Sequence, residues 1–498
     1  MAASDYARPP KNPDSEIWSA AALSEAVRRA GKEATKAGPS TERSQELPYF
    51  QRYGIENERG WESSDRTSSP LEVQQRQPYF LESSSLRGEA HPSTTSLGIQ
   101  ARRDFPALAQ RVNGHRLIWL DNAATTQKPR VVINKVHRFY ETDNSNIHRA
   151  AHTLAARATD AYEHARSVVA RFLGSQSPEQ IVFVRGTTEA INLIAHSAGQ
   201  RFITEGDEIV VTELEHHSNI VPWQLLCERS GAVLKVLPVD DRGNLRLDAL
   251  YRVIGGRTKI VAVTQVANSI GTVVPVCAVS AAAHSVGALV VVDGAQSAAH
   301  FPVDVTELDA DFYAFSGHKV YGPTGIGVLY GKRNLLETMP PWHGGGSMIN
   351  QVTFERTTYA QIPAKFEAGT GHIAGAVGLA AALEYVDHVG RSAIERHEHV
   401  LMEHLLETLE AIPLLRIVAN PDVRAGSVSF VVDGFEPARV AAHLDRHGIA
   451  VRAGHHCAQP LLRHFGLVAT VRPSLGLYNC LEDVETLGAC LRRLVRSS

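Results

Sequence analysis

From Asp104 onward, short β-branched runs alternate with stretches of helical spacing. The runs are 180–184, 208–212, 259–264, 288–292 and 325–330, each a few apolar residues bounded by Gly, Asp or Asn. Continuous apolar strands of this kind are buried on both faces, as in a sheet whose crossovers are helices. The pattern predicts an α/β fold. Past Gly390 it changes. Residues 392–412 have the spacing of a long amphipathic helix, and 427–432 read as a strand. This predicts a large domain at 98–389 and a smaller α+β domain at 390–498, with 98–120 a candidate to pack on the smaller one.

Residues 1–97 read differently. Ser, Pro, Glu, Arg and Gln dominate, and aliphatic clusters are few. Only 15–36 has helical spacing, with Ile17, Trp18, Ala21, Leu23 and Val27 on one stripe and Pro39 beyond it. The rest has the composition of a disordered arm. Leu47-Pro48-Tyr49-Phe50 and Gln77-Pro78-Tyr79-Phe80 repeat a Pro-Tyr-Phe element, and Trp18 and Trp61 add apolar anchors. These are either chance in a biased segment or short docking motifs, since paired anchors on a flexible arm suit multivalent binding.

Composition narrows the function classes. The 498 residues leave room for about three domains of roughly 150 residues. Hydrophobic residues make up 44%, enough for a large core, and the net charge of -3 gives no general attraction to nucleic acid or an anionic membrane. No apolar run approaches the ~20 residues of a membrane span. The start at Met1 has no signal-peptide pattern, and Asp5, Asp14, Glu16, Glu25 and Glu33 argue against a transit peptide. Cys227, Cys277, Cys457, Cys480 and Cys490 form no CxxC and no zinc spacing, so a reducing, cytoplasmic setting is expected and no metal.

Candidate chemistry gathers at predicted strand ends. Lys319, in Ser316-Gly317-His318-Lys319, follows the apolar segment 312–315. A desolvated lysine there is a good nucleophile toward an aldehyde, although alone it reads equally as a turn lysine. Asp293 ends the run 288–292, in the usual ligand crevice of an α/β sheet. Alone it could be a helix cap. Together the two supply the Schiff-base lysine and ring-nitrogen carboxylate that pyridoxal phosphate needs. Arg185-Gly186-Thr187-Thr188-Glu189 joins a strand to a predicted helix at 189–198, and backbone N–H groups at a helix start bind phosphate. Glu215-His216-His217 offers an imidazole to stack on a ring or move protons. Metal ligation by the two histidines lacks a supporting Cys or Glu-x-x-His spacing.

These motifs, with Arg452-Ala-Gly-His-His-Cys457-Ala-Gln-Pro, resemble the SufS-type (group II) cysteine desulfurases of the aminotransferase class V family, over about Asp104 to Leu494. The resemblance implies a fold-type I enzyme: a mainly parallel seven-stranded sheet in three layers plus a smaller C-terminal domain. It implies pyridoxal 5'-phosphate on Lys319, with Asp293 at the ring nitrogen, His216 stacked on the ring, and Asn268 and Gln296 at the pyridoxal oxygen. Thr187, Thr188, Ser316 and His318 would hold the phosphate, with Thr370 reaching the phosphate of a second subunit in a homodimer. Arg472 would clamp the carboxylate of L-cysteine, with Arg452 nearby and Asn146 to His148 on the substrate side. Cys457 would take the sulfur for an acceptor protein, its thiolate favoured by the cations His455, His456 and Arg452. The other four cysteines read as core residues.

Two features depart from this pattern. Gly369-Thr370-Gly371-His372 differs from the commoner Gly-Thr-Pro, and residues 1–97 precede the usual start. A desulfurase with such an arm is similar to the cargo desulfurases of family 2 encapsulin shells, which implies docking to a shell. The other readings are an arm that docks a sulfur acceptor or only solubilises, a selenocysteine lyase, and a non-catalytic cargo or interaction protein.

Overall fold

The computed structural model describes residues 95–148 and 152–496. The expected helix at 15–36 and the Pro-Tyr-Phe repeats lie outside these residues. Seven strands form the central sheet: β1 (Ile181–Val184), β2 (Glu208–Thr212), β3 (Val233–Leu237), β4 (Thr258–Thr264), β5 (Leu289–Asp293), β6 (Phe312–Ser316) and β7 (Gly327–Gly331). Their order is β1-β7-β6-β5-β4-β2-β3. β7 runs antiparallel to β1 and β6, and every other neighbouring pair is parallel.

Alternation along these strands fills two cores. Ile181, Phe183, Val290, Val292 and Phe315 enter one, and Val182, Val184, Val291, Phe312 and Ala314 enter the other. A strand with both faces apolar must be covered on both sides. Five helices do this: α1 (Thr153–Phe172), α2 (Thr187–Phe202), α3 (Val221–Ser230), α4 (Val276–His284) and α5 (Ile373–Val389). α1, α4 and α5 line the first core; α2 and α3 line the second. Each fully buried Val, Ile, Leu or Phe contributes about 1.5–3 kcal/mol, so this layering dominates the energetics.

A third core follows in sequence. It is built by α6 (Arg391–Glu410), β8 (Leu415–Val418), β9 (Ser429–Val432), α7 (Pro437–Asp445), β10 (Arg452–Gly454), β11 (Thr470–Arg472) and α8 (Leu481–Arg496). The strands form an antiparallel sheet in the order β8-β9-β11-β10. Leu401, Leu405 and Leu409 of α6 meet Val484, Leu487 and Leu491 of α8, one apolar stripe on each helix. Ile118 and Leu120 enter this core too, and Ile118–Trp119 pairs in parallel with Ile449–Ala450.

Hydrogen bonds stitch this layer to the end of the large sheet. Ser427 and Ser429 donate to the carbonyls of Asn268 and Ser269. Gly271 allows the approach: its φ is +77, and a Cβ there would lie 2.3 Å from the Ser427 carbonyl oxygen.

Three local expectations are corrected. The helix expected at 189–198 starts at Thr187, which puts Thr187 in its first turn. β3 was missed because it is an edge strand with one open side, where Val233 and Val236 are exposed. Cys277 is exposed on α4 and Cys227 is half-buried; only Cys480 and Cys490 are buried. An apolar helix sequence does not say which turn faces out. Among the described residues no helix is long and apolar enough to cross a membrane.

Candidate active site

Asp293 ends β5 with 3% exposure, and its Oδ1 accepts from the Ala295 N–H at 2.9 Å. Burial raises its carboxyl above the usual range, while that N–H and Lys319 oppose the shift. β6 ends at Ser316, and the single turn Gly317–Lys319 brings Lys319 beside Asp293. Lys319 Nζ makes no hydrogen bond among the described residues. Burial pulls its ammonium below the ordinary value; Asp293 opposes this and Arg472 adds to it. Cys457 and Arg452 also act on Lys319, so one electrostatic neighbourhood contains all five groups.

His216 sits beyond β2. Its Nδ1 accepts from the Ser218 N–H at 3.0 Å, which places the ring proton on Nε2. Burial, with Lys319 next, drives its titration down to about 3, so the imidazole is neutral at working pH. Its neighbour Glu215 is wholly buried. It accepts from Thr212 Oγ1 at 2.6 Å, Asn219 Nδ2 at 2.6 Å and the Thr264 N–H at 2.9 Å. Burial still pushes it up to about 8, with Asp293 adding to the rise. Glu215 thus ties β2 to β4 and fixes the turn that presents His216.

The start of α2 meets the end of β6. The Thr187 N–H donates to Ser316 Oγ at 2.9 Å, and Thr187 Oγ1 lies 2.9 Å from the same oxygen. Thr188 is exposed in the same turn, its carbonyl accepting from Asn192. His318 Nδ1 lies 3.2 Å from Thr125 Oγ1, and burial, with Lys319 and Lys128 beyond it, lowers His318 to about 4. Gln296 Nε2 donates to the Ala123 carbonyl at 2.7 Å. Asn268 Nδ2 donates to the His456 carbonyl at 2.6 Å, while its buried Oδ1 has no partner.

Arg472 on β11 is 2% exposed. It donates to the Asn268 carbonyl at 2.9 Å and to Asp121 Oδ1 at 3.4 Å, and its buried Nε has no partner. Burial lowers it to about 10, against the attraction of Asp121. The β10–β11 register sets Arg452 directly opposite Arg472. Two like charges so placed repel, and Asp121 neutralises the pair. Arg452 Nε lies 3.2 Å from both carboxylate oxygens of Asp121, and Nη2 lies 2.9 Å from Oδ2.

Cys457 follows β10 on a strained turn and is half-buried. His456 has φ +51 and Cys457 has φ +55, both in the left-handed region. That region costs an L-residue about 1–2 kcal/mol. The turn is held on several sides. His456 Nε2 is 2.8 Å from Thr470 Oγ1, the Cys457 N–H donates to His455 Nδ1 at 3.0 Å, and the Cys457 carbonyl accepts from the His217 N–H at 2.8 Å. The expected cationic flank is corrected for the two histidines, while Arg452 still acts electrostatically on Cys457. His456 points into the core, where burial lowers it to about 3 and leaves it neutral. His455 Nδ1 is a hydrogen-bond acceptor, and Arg452 is paired with Asp121. Adjacency in sequence did not reveal that these side chains diverge.

Asn146, His148 and Thr370 are exposed and form a separate group. Thr370 Oγ1 lies 3.5 Å from Asn146 Oδ1, and His148 Nε2 lies 2.9 Å from Glu163. No hydrogen bond among the described residues joins them to the Lys319 cluster. Asp121 and Glu215 were missed. The criterion that found Asp293, an acid just past a short apolar strand, also fits Asp121 after Ile118–Trp119.

The aminotransferase class-V family matches residues 118–487. The chain belongs to this family. Several of its relatives are named cysteine desulfurases. One from Synechococcus elongatus is 58% identical over 80% of this chain and 64% of its own length. A probable cysteine desulfurase from Mycolicibacterium paratuberculosis is 56% identical over 79% of this chain and 57% of its own length. The chain thus spans less than two thirds of those two relatives. One from Dickeya dadantii is 50% identical over 80% of this chain and 96% of its own length. Among solved structures, the apo cysteine desulfurase of Thermococcus onnurineus superposes with a TM-score of 0.77 at 40% identity, covering 82% of this chain and all of that one. An Escherichia coli cysteine desulfurase in the S-sulfonic acid form gives 0.74 at 40% identity, covering 80% and 98%. The fold-type I architecture expected from the motifs is the one this family member has.

Proposed function

We propose that this chain is a pyridoxal 5'-phosphate-dependent cysteine desulfurase that moves sulfur from L-cysteine onto Cys457 and leaves L-alanine. The observation that carries the reading is the shared electrostatic neighbourhood of Lys319, Asp293, Arg472 and Cys457. The residues fit the cofactor. A lysine without a hydrogen bond suits its aldehyde, the unpaired Asn268 Oδ1 suits its phenolic O–H, and the Thr187–Ser316 turn at the start of a 16-residue helix suits its phosphate.

When bound, pyridoxal phosphate supplies an electron-poor ring that holds the electron pair left by the departing α-proton. Asp293 would pair with the ring nitrogen, neutral His216 would face the ring, and Thr187, Thr188, Ser316 and His318 would hold the phosphate, with Gln296 on the pyridoxal side. Arg472 receives the substrate carboxylate through its unpaired Nε, with Arg452 as outer support. Lys319 Nζ, its ammonium pulled below the ordinary value by burial, takes the α-proton. Cys457 Sγ then attacks the substrate sulfur: an S–S bond forms, the substrate C–S bond breaks, and the carbon keeps that electron pair and takes up a proton. The products are alanine and a Cys457 persulfide, whose outer sulfur passes to an acceptor protein. Alanine release from cysteine, measured with Lys319→Ala and Cys457→Ala as controls, tests this. Full activity in either variant sinks the reading.

Three further assignments belong to it. The separate group of Asn146, His148 and Thr370 supports a homodimer in which Thr370 serves the partner's phosphate. Sedimentation of the holoprotein as a monomer would remove that support. The third core supports a distinct C-terminal domain at 390–498 carrying Cys457, joined by 98–120. Residues 1–97 are assigned to docking, with an encapsulin shell as the partner, so the cytoplasmic enzyme is packaged. Co-purification with a co-expressed shell should be lost when 1–97 are deleted; undiminished co-purification refutes it.

A further inference from the structure

The third core holds a group of soft ligand atoms that desulfuration does not use. His443 of α7, His447 just beyond its end and Cys490 of α8 place their ligand atoms all within 4.8 Å of one another. The rings of His443 and His447 are 4.7 Å apart, and the exposed His115 ring lies 5.6 Å from that of His447. Two further observations point to a ligand. His443 Nε2 is inaccessible and has no hydrogen-bond partner. The Cys490 backbone lies close enough to the His443 ring to act on it, which brings α8 against the imidazole. His447 Nδ1 lies 2.9 Å from the His443 carbonyl, so it carries the proton and leaves the Nε2 lone pair free. Fixing the far ring nitrogen on a carbonyl is the usual support for a metal-binding imidazole.

We propose that His443, His447 and Cys490 bind one thiophilic d10 cation, Zn2+ or Cu+, with His115 or water completing the shell. Two imidazoles and a thiolate are a borderline-to-soft donor set, unsuited to Mg2+ or Ca2+. An unpaired buried nitrogen forfeits its hydration without a replacement, a cost that a metal bond removes. Tetrahedral zinc, with bonds of about 2.0–2.3 Å, sets neighbouring ligand atoms roughly 3.3–3.6 Å apart. Closing from the present separation takes about 1 Å of rotamer adjustment. On binding, the Cys490 S–H bond gives way to an S–metal bond and one proton leaves to solvent, with no change of oxidation state. Burial raises the Cys490 thiol above its ordinary value, against Arg493, which bonds to it, and Arg446; both cations also repel a divalent ion, which is why both ions are compared. α7 packs on β10, which leads into the Cys457 turn, so the ion would pin that support to α8.

The test uses full-length, cofactor-loaded Cys457→Ala protein, stripped by chelator, because Cys457 is a second thiol that captures metals. Zn2+, or Cu+ under reductant, is titrated against a chromophoric competitor. One equivalent per chain is expected, with a rise in thermal midpoint and at least about 100-fold weaker binding in Cys490→Ala and in His447→Gln. His447 is half-exposed, so His447→Gln remains a folded test if the buried Cys490→Ala does not. Binding of one ion and not the other identifies the cation. No binding of either ion below about 10 µM overturns the proposal, as does equal affinity in the variants.

Discussion

The two halves of the active site rest on different kinds of backbone. Asp293, Lys319 and Thr187 stand at the ends of buried strands and the start of a helix, where regular hydrogen bonding fixes them. Cys457 stands on a turn with two successive residues in the left-handed region, half-open to solvent and pinned by His455, Thr470 and His217. The first half needs precision around a group that stays. The second must present sulfur to substrate and then to a partner. Strain at a turn that the surroundings over-determine is the expected form of such a device.

The largest tests separate the halves. Lys319→Ala should lower cysteine turnover by at least about 10^3-fold, since a base and nucleophile are lost together. Cys457→Ala should lower cysteine turnover comparably but spare selenocysteine turnover. Equal loss on both substrates would show that the halves do not divide the chemistry in this way. Arg472→Lys comes next. It loses the planar fork and should raise KM for cysteine about 10–100-fold, with a smaller change in kcat. Asp121→Asn removes the charge shared by Arg452 and Arg472, and the rise should be about 3–10-fold; an effect exceeding that of Arg472→Lys would contradict the assignment of Arg472 to the carboxylate.

A pH test probes the rigid half alone. Glu215 is raised from the ordinary 4.5 to about 8 in the folded protein. The folded state therefore binds its proton more tightly than the unfolded state. That stabilisation is complete below about pH 4.5 and is lost as pH rises through about 8, at a rate on the order of 1 kcal/mol per pH unit. Relative to Glu215→Gln, the wild-type thermal midpoint should fall across pH 5–8; parallel profiles would show that Glu215 is ionised throughout. The smallest effect belongs to Cys277→Ser. An exposed thiol on α4, remote in its contacts from both halves, should change turnover by less than about 2-fold.

Much of the first half was legible in sequence because its cues are local. Apolar runs ending in Asp293 or Ser316 give strand ends, and Gly186-Thr187 gives a helix start. The parallel sheet and its two apolar faces follow from the same runs. The second half was legible only by motif resemblance. That Cys457 takes the sulfur was implied by the resemblance, but not that His456 turns inward to Thr470 or that Arg452 is held by Asp121. Asp121 and Arg472 are distant in sequence, and a one-residue change in β10 register would separate Arg452 from Arg472.

The sequence by itself determined where strands end, which residue types gather there and which family carries that order of motifs. It could do so because periodicity and turn chemistry act over a few residues. Tertiary structure alone decided which charges are paired, which histidines are neutral, that Cys277 faces out, and that His443, His447 and Cys490 meet. Those outcomes depend on burial and on through-space distance between separate elements, and neither is encoded in neighbouring positions.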